Sequence, residues 1–250
     1  MSVLARLAGT VFAAAMALGT SVAQAADVPV AAAANFTDAA NAIGRSFQAA
    51  TGHRAIFSFG ATGALYTQIT QGAPFQVFLS ADQATAKRAI DDGNAVAGSQ
   101  ATYAVGKIVL FSKNANLVKG ADTLKTATFQ KLAIANPAAA PYGAAAVEVM
   151  NKLGVYAAVR PKIVQGDNIT QTYQFVDTGN AELGFVALSQ VIAVQGGSRW
   201  VVDDTLYTPI KQDVVLTKAG ANSAAAKAFV DFLKTPEAIA ILSRFGYGAG

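Results

Sequence analysis

The sequence predicts an α/β fold in which helices flank mostly parallel sheets. Short apolar runs alternate with amphipathic segments from Val28 to Phe245. That rhythm calls for crossover connections, which lay helices on both faces of a parallel sheet. Four turns just ahead of a helix are built largely from small or neutral polar residues and contain no Lys or Arg. No internal repeat, low-complexity tail or obvious linker interrupts the pattern.

The elements follow in order. Val28 to Ala34 is an apolar strand, and Phe36, Ala39, Ile43 and Phe47 then recur at helical spacing. Asn35 is a suitable N-cap for that helix, with Asp38 at its N3 position, and Gly52 is a stop signal. Arg54 to Phe59 reads as a strand, and Thr62 can cap a helix from Gly63 to Thr70. Phe75 to Leu79 is a third strand. Ser80-Ala81-Asp82-Gln83 then fits a capping box with Ser80 as the cap. Further strands fall at Lys107 to Phe111, Leu132 to Ala135, Lys162 to Val164, Leu183 to Leu188, Trp200 to Val202 and Asp213 to Thr217. Helices fall near Ala121 to Phe129, Ala144 to Leu153, Thr170 to Thr178, Ser223 to Leu233 and Pro236 to Phe245.

The four turns are Ala34-Asn35-Phe36-Thr37, Gly60-Ala61-Thr62-Gly63, Pro141-Tyr142-Gly143-Ala144 and Asp167-Asn168-Ile169-Thr170. A helix N-terminus exposes unpaired N–H groups and the positive end of the helix dipole. Each turn is therefore a latent anion site, and ligands of parallel sheets bind beyond the carboxyl ends of the strands. If the turns converge, they form a pocket of neutral donors suited to a small ionised oxyanion. The carboxylates of Asp38 and Asp167 must then face away, since they would repel a dianion.

Composition narrows the function classes. Met1 to Ala25 reads as a secretory signal: Arg6, an apolar run from Leu7 to Leu18, and Ala23-Gln24-Ala25 as a small-x-small cleavage site. Cleavage there leaves 225 residues and an exported, most simply periplasmic, protein. The absence of cysteine excludes disulfides and thiolate metal sites. The net charge is +4 and the pI about 9.3. Lys and Arg are nonetheless scattered and not interleaved with aromatics, which argues against nucleic acid.

Enzyme constellations are poor. His53 is the only histidine, and it follows Gly52 at a helix-to-strand turn. A hydrolase built on Ser80, Asp82 and His53 needs a geometry that sequence proximity does not supply. Gly60-Ala61-Thr62-Gly63 lacks the Gly-Lys-Ser/Thr ending of a phosphate loop. The expectation is a binding protein without catalysis and without a cofactor.

Three segments carry a family likeness: Ala32-Ala33-Ala34-Asn35-Phe36-Thr37, Gly72-Ala73-Pro74-Phe75-Gln76-Val77-Phe78-Leu79-Ser80-Ala81-Asp82, and Phe232-Leu233-Lys234-Thr235-Pro236-Glu237-Ala238. Together they resemble the periplasmic molybdate-binding proteins of ABC transporters, in order along the whole mature chain. The resemblance implies a two-lobe, type II periplasmic-binding-protein fold, with lobe one at 26–104 plus 217–250 and lobe two at 105–216. It also implies capture of molybdate or tungstate at the hinge by neutral donors and delivery to an ABC permease. A monomer is expected.

Carried over by position, Asn35 matches the first-turn ligand and Thr62 the second-turn hydroxyl. Tyr142 and Ile169 stand where backbone N–H donors are expected, and Ala34 and Ala61 adjoin them. These residues would hold the oxyanion's oxygens and would not ligate its metal. Some members place a tyrosine hydroxyl at the position of Ala187, so here Tyr142 or nothing replaces it. A sulfate or phosphate receptor of the same fold is the alternative, with the hydrolase behind it. A sensing or adhesive module with no transporter is a third option.

Overall fold

The computed structural model describes residues 25–248 and residue 250. The predicted signal segment, apart from Ala25, lies outside the described residues. The strands are β1 (Asp27–Ala33), β2 (Arg54–Gly60), β3 (Val77–Leu79), β4 (Ala101–Gly106), β5 (Ile108–Ser112), β6 (Leu132–Ala135), β7 (Ile163–Gly166), β8 (Leu183–Ala187), β9 (Ser198–Val201) and β10 (Ile210–Leu216). The helices are α1 (Thr37–Thr51), α2 (Thr62–Thr70), α3 (Gln83–Asp91), α4 (Asp122–Thr126), α5 (Pro141–Lys152), α6 (Tyr156–Val159), α7 (Ile169–Asp177), α8 (Leu188–Val191), α9 (Ala224–Phe232) and α10 (Pro236–Arg244).

The strands form two five-stranded sheets, one per lobe, in the orders β2-β1-β3-β10-β4 and β7-β6-β8-β5-β9. In the first sheet β2, β1 and β3 are parallel, and β10 is antiparallel to both β3 and β4. In the second sheet β7, β6 and β8 are parallel, and β5 is antiparallel to both β8 and β9. Each sheet thus has one reversed strand among otherwise co-directional ones, as the mostly parallel reading expects. The two lobes repeat one topology without a repeated sequence.

The reversed strand in each sheet is the one the chain enters on crossing from the other lobe. Lys107 alone separates β4 from β5, and residues 202–209 separate β9 from β10. The second crossing corrects the lobe boundary read from sequence. Residues 210–216, placed there in lobe two, pair with β3 and β4 of the first sheet. Local periodicity identifies a strand but does not say which sheet it joins. By sheet membership the first lobe also keeps β4 through Gly106.

The central strands of each sheet are buried on both faces, as a parallel sheet between helices requires. Val28, Val30 and Ala32 pack with Ile43, Phe47, Phe229 and Leu242, whereas Ala31 and Phe78 pack on the other face with Leu65, Ile69 and Val215. Phe47 lies edge-on to Phe229, with ring centroids 5.1 Å apart, and the C-terminal helices thereby close the lobe that β1 opens. In the second lobe Ile108, Leu110, Leu132, Ile134 and Phe185 share one cluster, and Val109, Ala133 and Val186 the other.

Three caps differ from expectation. Gly52 does end α1 in the left-handed conformation, its N–H bonded to Gln48 O at 2.9 Å. Asn35, however, lies in a 3-10 turn, Ala34–Phe36, and its side chain does not cap α1. Thr62 is the first residue of α2 and does not cap it either. Asp82, not Ser80, caps α3 by accepting from Thr85 N at 2.5 Å. In each case the polar side chain has a tertiary partner or a nearer local one.

Candidate functional site

The four turns named from sequence all follow carboxyl ends of parallel strands: β1, β2, β6 and β7. They lead into α1, α2, α5 and α7. Ala34, Asn35, Ala61, Thr62, Tyr142 and Ile169 line one small cavity between the lobes. Its open space is far below the ~300–1,000 Å³ of ordinary organic-ligand pockets, so it suits a ligand of a few atoms. None of the six is more than 7% exposed. The lobes therefore meet over the cavity.

The donors are laid out by helix geometry. Asn168 caps α7, accepting from Thr170 N at 2.9 Å and Gln171 N at 3.0 Å. This leaves the Ile169 N–H, at the first helical position, for the cavity. Pro141 opens α5 and has no N–H, so Tyr142 supplies the first amide of that helix. The N–H groups of Asn35, Thr62, Tyr142 and Ile169 take no turn or loop acceptor among the described residues. Four helix N-termini from two lobes thus present unpaired amides to one space.

Side chains add to this in ways the sequence did not show. Thr62 Oγ1 accepts from Ala81 N at 3.0 Å, which ties one of its two lone pairs to the scaffold and leaves its proton available. Asn35 Nδ2 donates to Gln212 Oε1 at 2.9 Å and to Tyr247 Oη at 3.0 Å. Its side-chain nitrogen is therefore committed inside the protein, and the backbone N–H is what Asn35 offers to a ligand. Asn35 O in turn accepts from Ser189 Oγ at 2.8 Å and Tyr247 Oη at 2.7 Å, which ties the first turn to the second lobe. Gln212, Tyr247, Ser189 and Ala81 are the supporting residues that sequence reading missed. The one available signal was Gln212, a polar residue in a strand that becomes fully buried.

The electrostatics are those of dipoles, not ions. Among the described residues no Lys, Arg, His, Asp or Glu lines the cavity. Asp38 and Asp167 are both exposed, as the repulsion argument required. Burial pushes the hydroxyls of Tyr103, Tyr142 and Tyr247 well up from the usual phenol range, so they remain protonated donors. Ala187 is buried, with its N–H on Gln190 Oε1 at 3.0 Å.

Neighbouring features fit an oxyanion less well. A larger groove beside the cavity carries Asp82, Glu148 and Lys211 on its walls and is open to solvent. His53 Nδ1 accepts from Ala26 N at 3.2 Å. It thus sits beside the first residue of β1, whereas Ser80 follows Leu79, which pairs with Ala32 at the far end of that strand. The hydrolase constellation is not brought together. Among the described residues no cluster of His, Cys, Asp and Glu could hold a metal ion, and no helix is long and apolar enough to cross a membrane.

Two lobes, a hinge of paired crossings and a buried cavity between them define a class of receptor. The chain belongs to the bacterial extracellular solute-binding proteins, whose family model matches residues 28–248. Among its relatives, the molybdate-binding protein ModA of Rhodobacter capsulatus is 55% identical over 225 residues, covering 90% of this chain and 89% of that one. ModA of Azotobacter vinelandii is 52% identical over 231 residues, covering 90% and 91%. The solved structure of an Azotobacter vinelandii periplasmic molybdate-binding protein superposes with a TM-score of 0.86 at 36% identity, covering 89% of this chain and 99% of that one.

Proposed function

We propose that this protein captures molybdate or tungstate between its lobes in the periplasm and delivers it to an ABC permease. One observation carries the reading. Six residues from four helix N-termini enclose a small, uncharged, donor-rich cavity. A tetrahedral dianion offers only acceptors, and the backbone amides and the protons of the Thr62 and Tyr142 hydroxyls supply donors without any charged group. The names of the relatives point to the same ligand. Asn35, Thr62, Tyr142, Ile169, Ala34 and Ala61 hold its oxygens, and none binds the metal atom.

Selectivity follows from size and protonation. Molybdate, tungstate and sulfate carry the same charge, so a rigid donor shell separates them by bond length. Hydrogen phosphate brings a proton that finds no carboxylate on these walls to accept it, a buried mismatch worth about 1–3 kcal/mol. Closure over the ion presents both lobes to the permease in one arrangement. No step of this requires catalysis or a cofactor.

Calorimetric titration with molybdate, tungstate, sulfate and phosphate tests the reading. Tight binding of the first two with weak response to the others is the expected result. Preferential binding of sulfate or phosphate would overturn the ligand and keep the receptor class.

A further inference from the structure

Gln212 lies at the start of the returning strand β10 and is wholly buried. The pairing of β10 with β4 is irregular here: Gln212 opposes Ala104 and Asp213 opposes Thr102, so Tyr103 is skipped. Such a bulge re-aims side chains. Gln212 Oε1 accepts from Asn35 Nδ2 at 2.9 Å and from Tyr103 Oη at 3.2 Å. Two donors on that end of the amide orient it, and Nε2 points the other way. There, Nε2 has no hydrogen-bond partner among the described residues. A buried amide N–H without a partner is costly and calls for an explanation.

The explanation lies over Gly106, at the first crossing between the lobes. A Cβ placed on Gly106 would come within 2.1 Å of Tyr142 Oη and 2.8 Å of Gln212 Nε2. The hydroxyl and the amide nitrogen therefore share the space that this glycine leaves. Gln212 comes from the first lobe's sheet, and Tyr142 is the second residue of α5 in the second lobe. An amide nitrogen can only donate, so towards Nε2 the Tyr142 oxygen can only accept. Its proton must then turn to another neighbour, and Tyr142 lines the cavity.

We infer that Gln212 is the positioning residue that makes Tyr142 a hydrogen-bond donor to the bound oxyanion. The inference rests on the oxyanion reading of the cavity. It parallels the second turn, where Ala81 N occupies the Thr62 oxygen and leaves that proton for the ligand. It also gives Gln212 a part in selectivity. A tyrosine whose oxygen is occupied by an N–H is a poor acceptor for a protonated ligand, so the cavity favours ions that carry no proton.

The test is a double-mutant cycle read by calorimetry with molybdate and phosphate. Y142F and Q212M should each weaken molybdate binding by about tenfold, the weight of one hydrogen bond to a charged group. In the Y142F background, Q212M should change molybdate affinity by less than about twofold, because its route of action is gone. Q212M should also narrow the molybdate-to-phosphate ratio, which a general loosening of the fold would not do. Should Q212M not fold, Q212N, neutral and one methylene shorter, withdraws the donor from Tyr142 without adding a charge, and the same cycle applies.

Equal losses from Q212M in both backgrounds would overturn the inference, since Gln212 would then act through Asn35 or the sheet. Unchanged molybdate affinity in Y142F would also overturn it. A wild-type protein that binds sulfate in place of molybdate fails the ligand reading alone, and the cycle is then run with sulfate. A wild-type protein that binds none of these ions overturns both.

Discussion

In the proposed function Thr62 serves both scaffold and ligand. Its oxygen is held by Ala81 N and its proton is free. Thr62→Val keeps the shape and removes the hydroxyl, so oxyanion affinity should fall by about 1–3 kcal/mol in a calorimetric titration, with Thr62→Ser retaining most of it. The buried tyrosines set the pH behaviour. Burial raises the hydroxyl pKa of Tyr103, Tyr142 and Tyr247 in the folded state. The native protein therefore holds protons that the unfolded chain releases once pH passes the ordinary phenol value of about 10. Stability contributed by these groups is present below that value and is lost as pH rises above it. Thermal unfolding midpoints should thus fall steeply on the alkaline side, while oxyanion affinity stays flat between about pH 7 and 9. An affinity that declines over that range would mean a hydroxyl in the site ionises early.

At the scale of elements, each donor depends on how its helix begins. Asn168 is the side-chain cap of α7 and holds the second and third amides of that helix. Asn168→Ala should lower stability by about 1 kcal/mol, read from chemical denaturation, and should weaken oxyanion binding as the Ile169 turn loosens. A variant with reduced stability and unchanged affinity would show that the Ile169 amide does not contribute. The three other turns reduce to the same design: a strand ends, one to five residues turn, and a helix N-terminus faces the cavity. Neither α2 nor α5 has a side-chain cap. Their first amides are accordingly left for a ligand.

For the whole molecule, the proposed function depends on how closely the lobes approach. Gly63 N donates across the cleft to Ala139 O at 2.9 Å, and a Cβ on Gly63 would sit 3.3 Å from Ala139 Cα and 3.4 Å from its oxygen. Both of these neighbours are backbone and cannot rotate away. Gly63 also lies in a helix, where any β-carbon improves intrinsic propensity by up to about 1 kcal/mol. Gly63→Val should therefore leave the thermal midpoint of the unliganded protein little changed while weakening oxyanion binding at least about tenfold. Small-angle scattering should show the variant failing to contract when molybdate is added. Contraction equal to that of the wild type would remove this contact from the closing mechanism.

Much of this was legible without coordinates, because strand and helix periodicity, Gly52 as a helix stop and small neutral turns are local properties of the chain. The same locality singled out the four turns and made the absence of basic residues in them informative, whereas Asn35, Thr62, Tyr142, Ile169, Ala34 and Ala61 were named through the family resemblance. What local chemistry could not show is which groups meet across long sequence separations. Asn35 and Thr62 look like caps because capping is the nearest use for such side chains, yet their partners are Gln212, Tyr247 and Ala81. Strand β10 reads as a strand anywhere, but only the pairing with β3 and β4 places it in the first lobe and brings Gln212 to the hinge. The sequence by itself determined the element types and the neutral character of the four turns. The tertiary structure decided their convergence, the direction of each hydroxyl proton and the path of the chain between lobes, because a hydrogen bond depends on distances that periodicity does not contain.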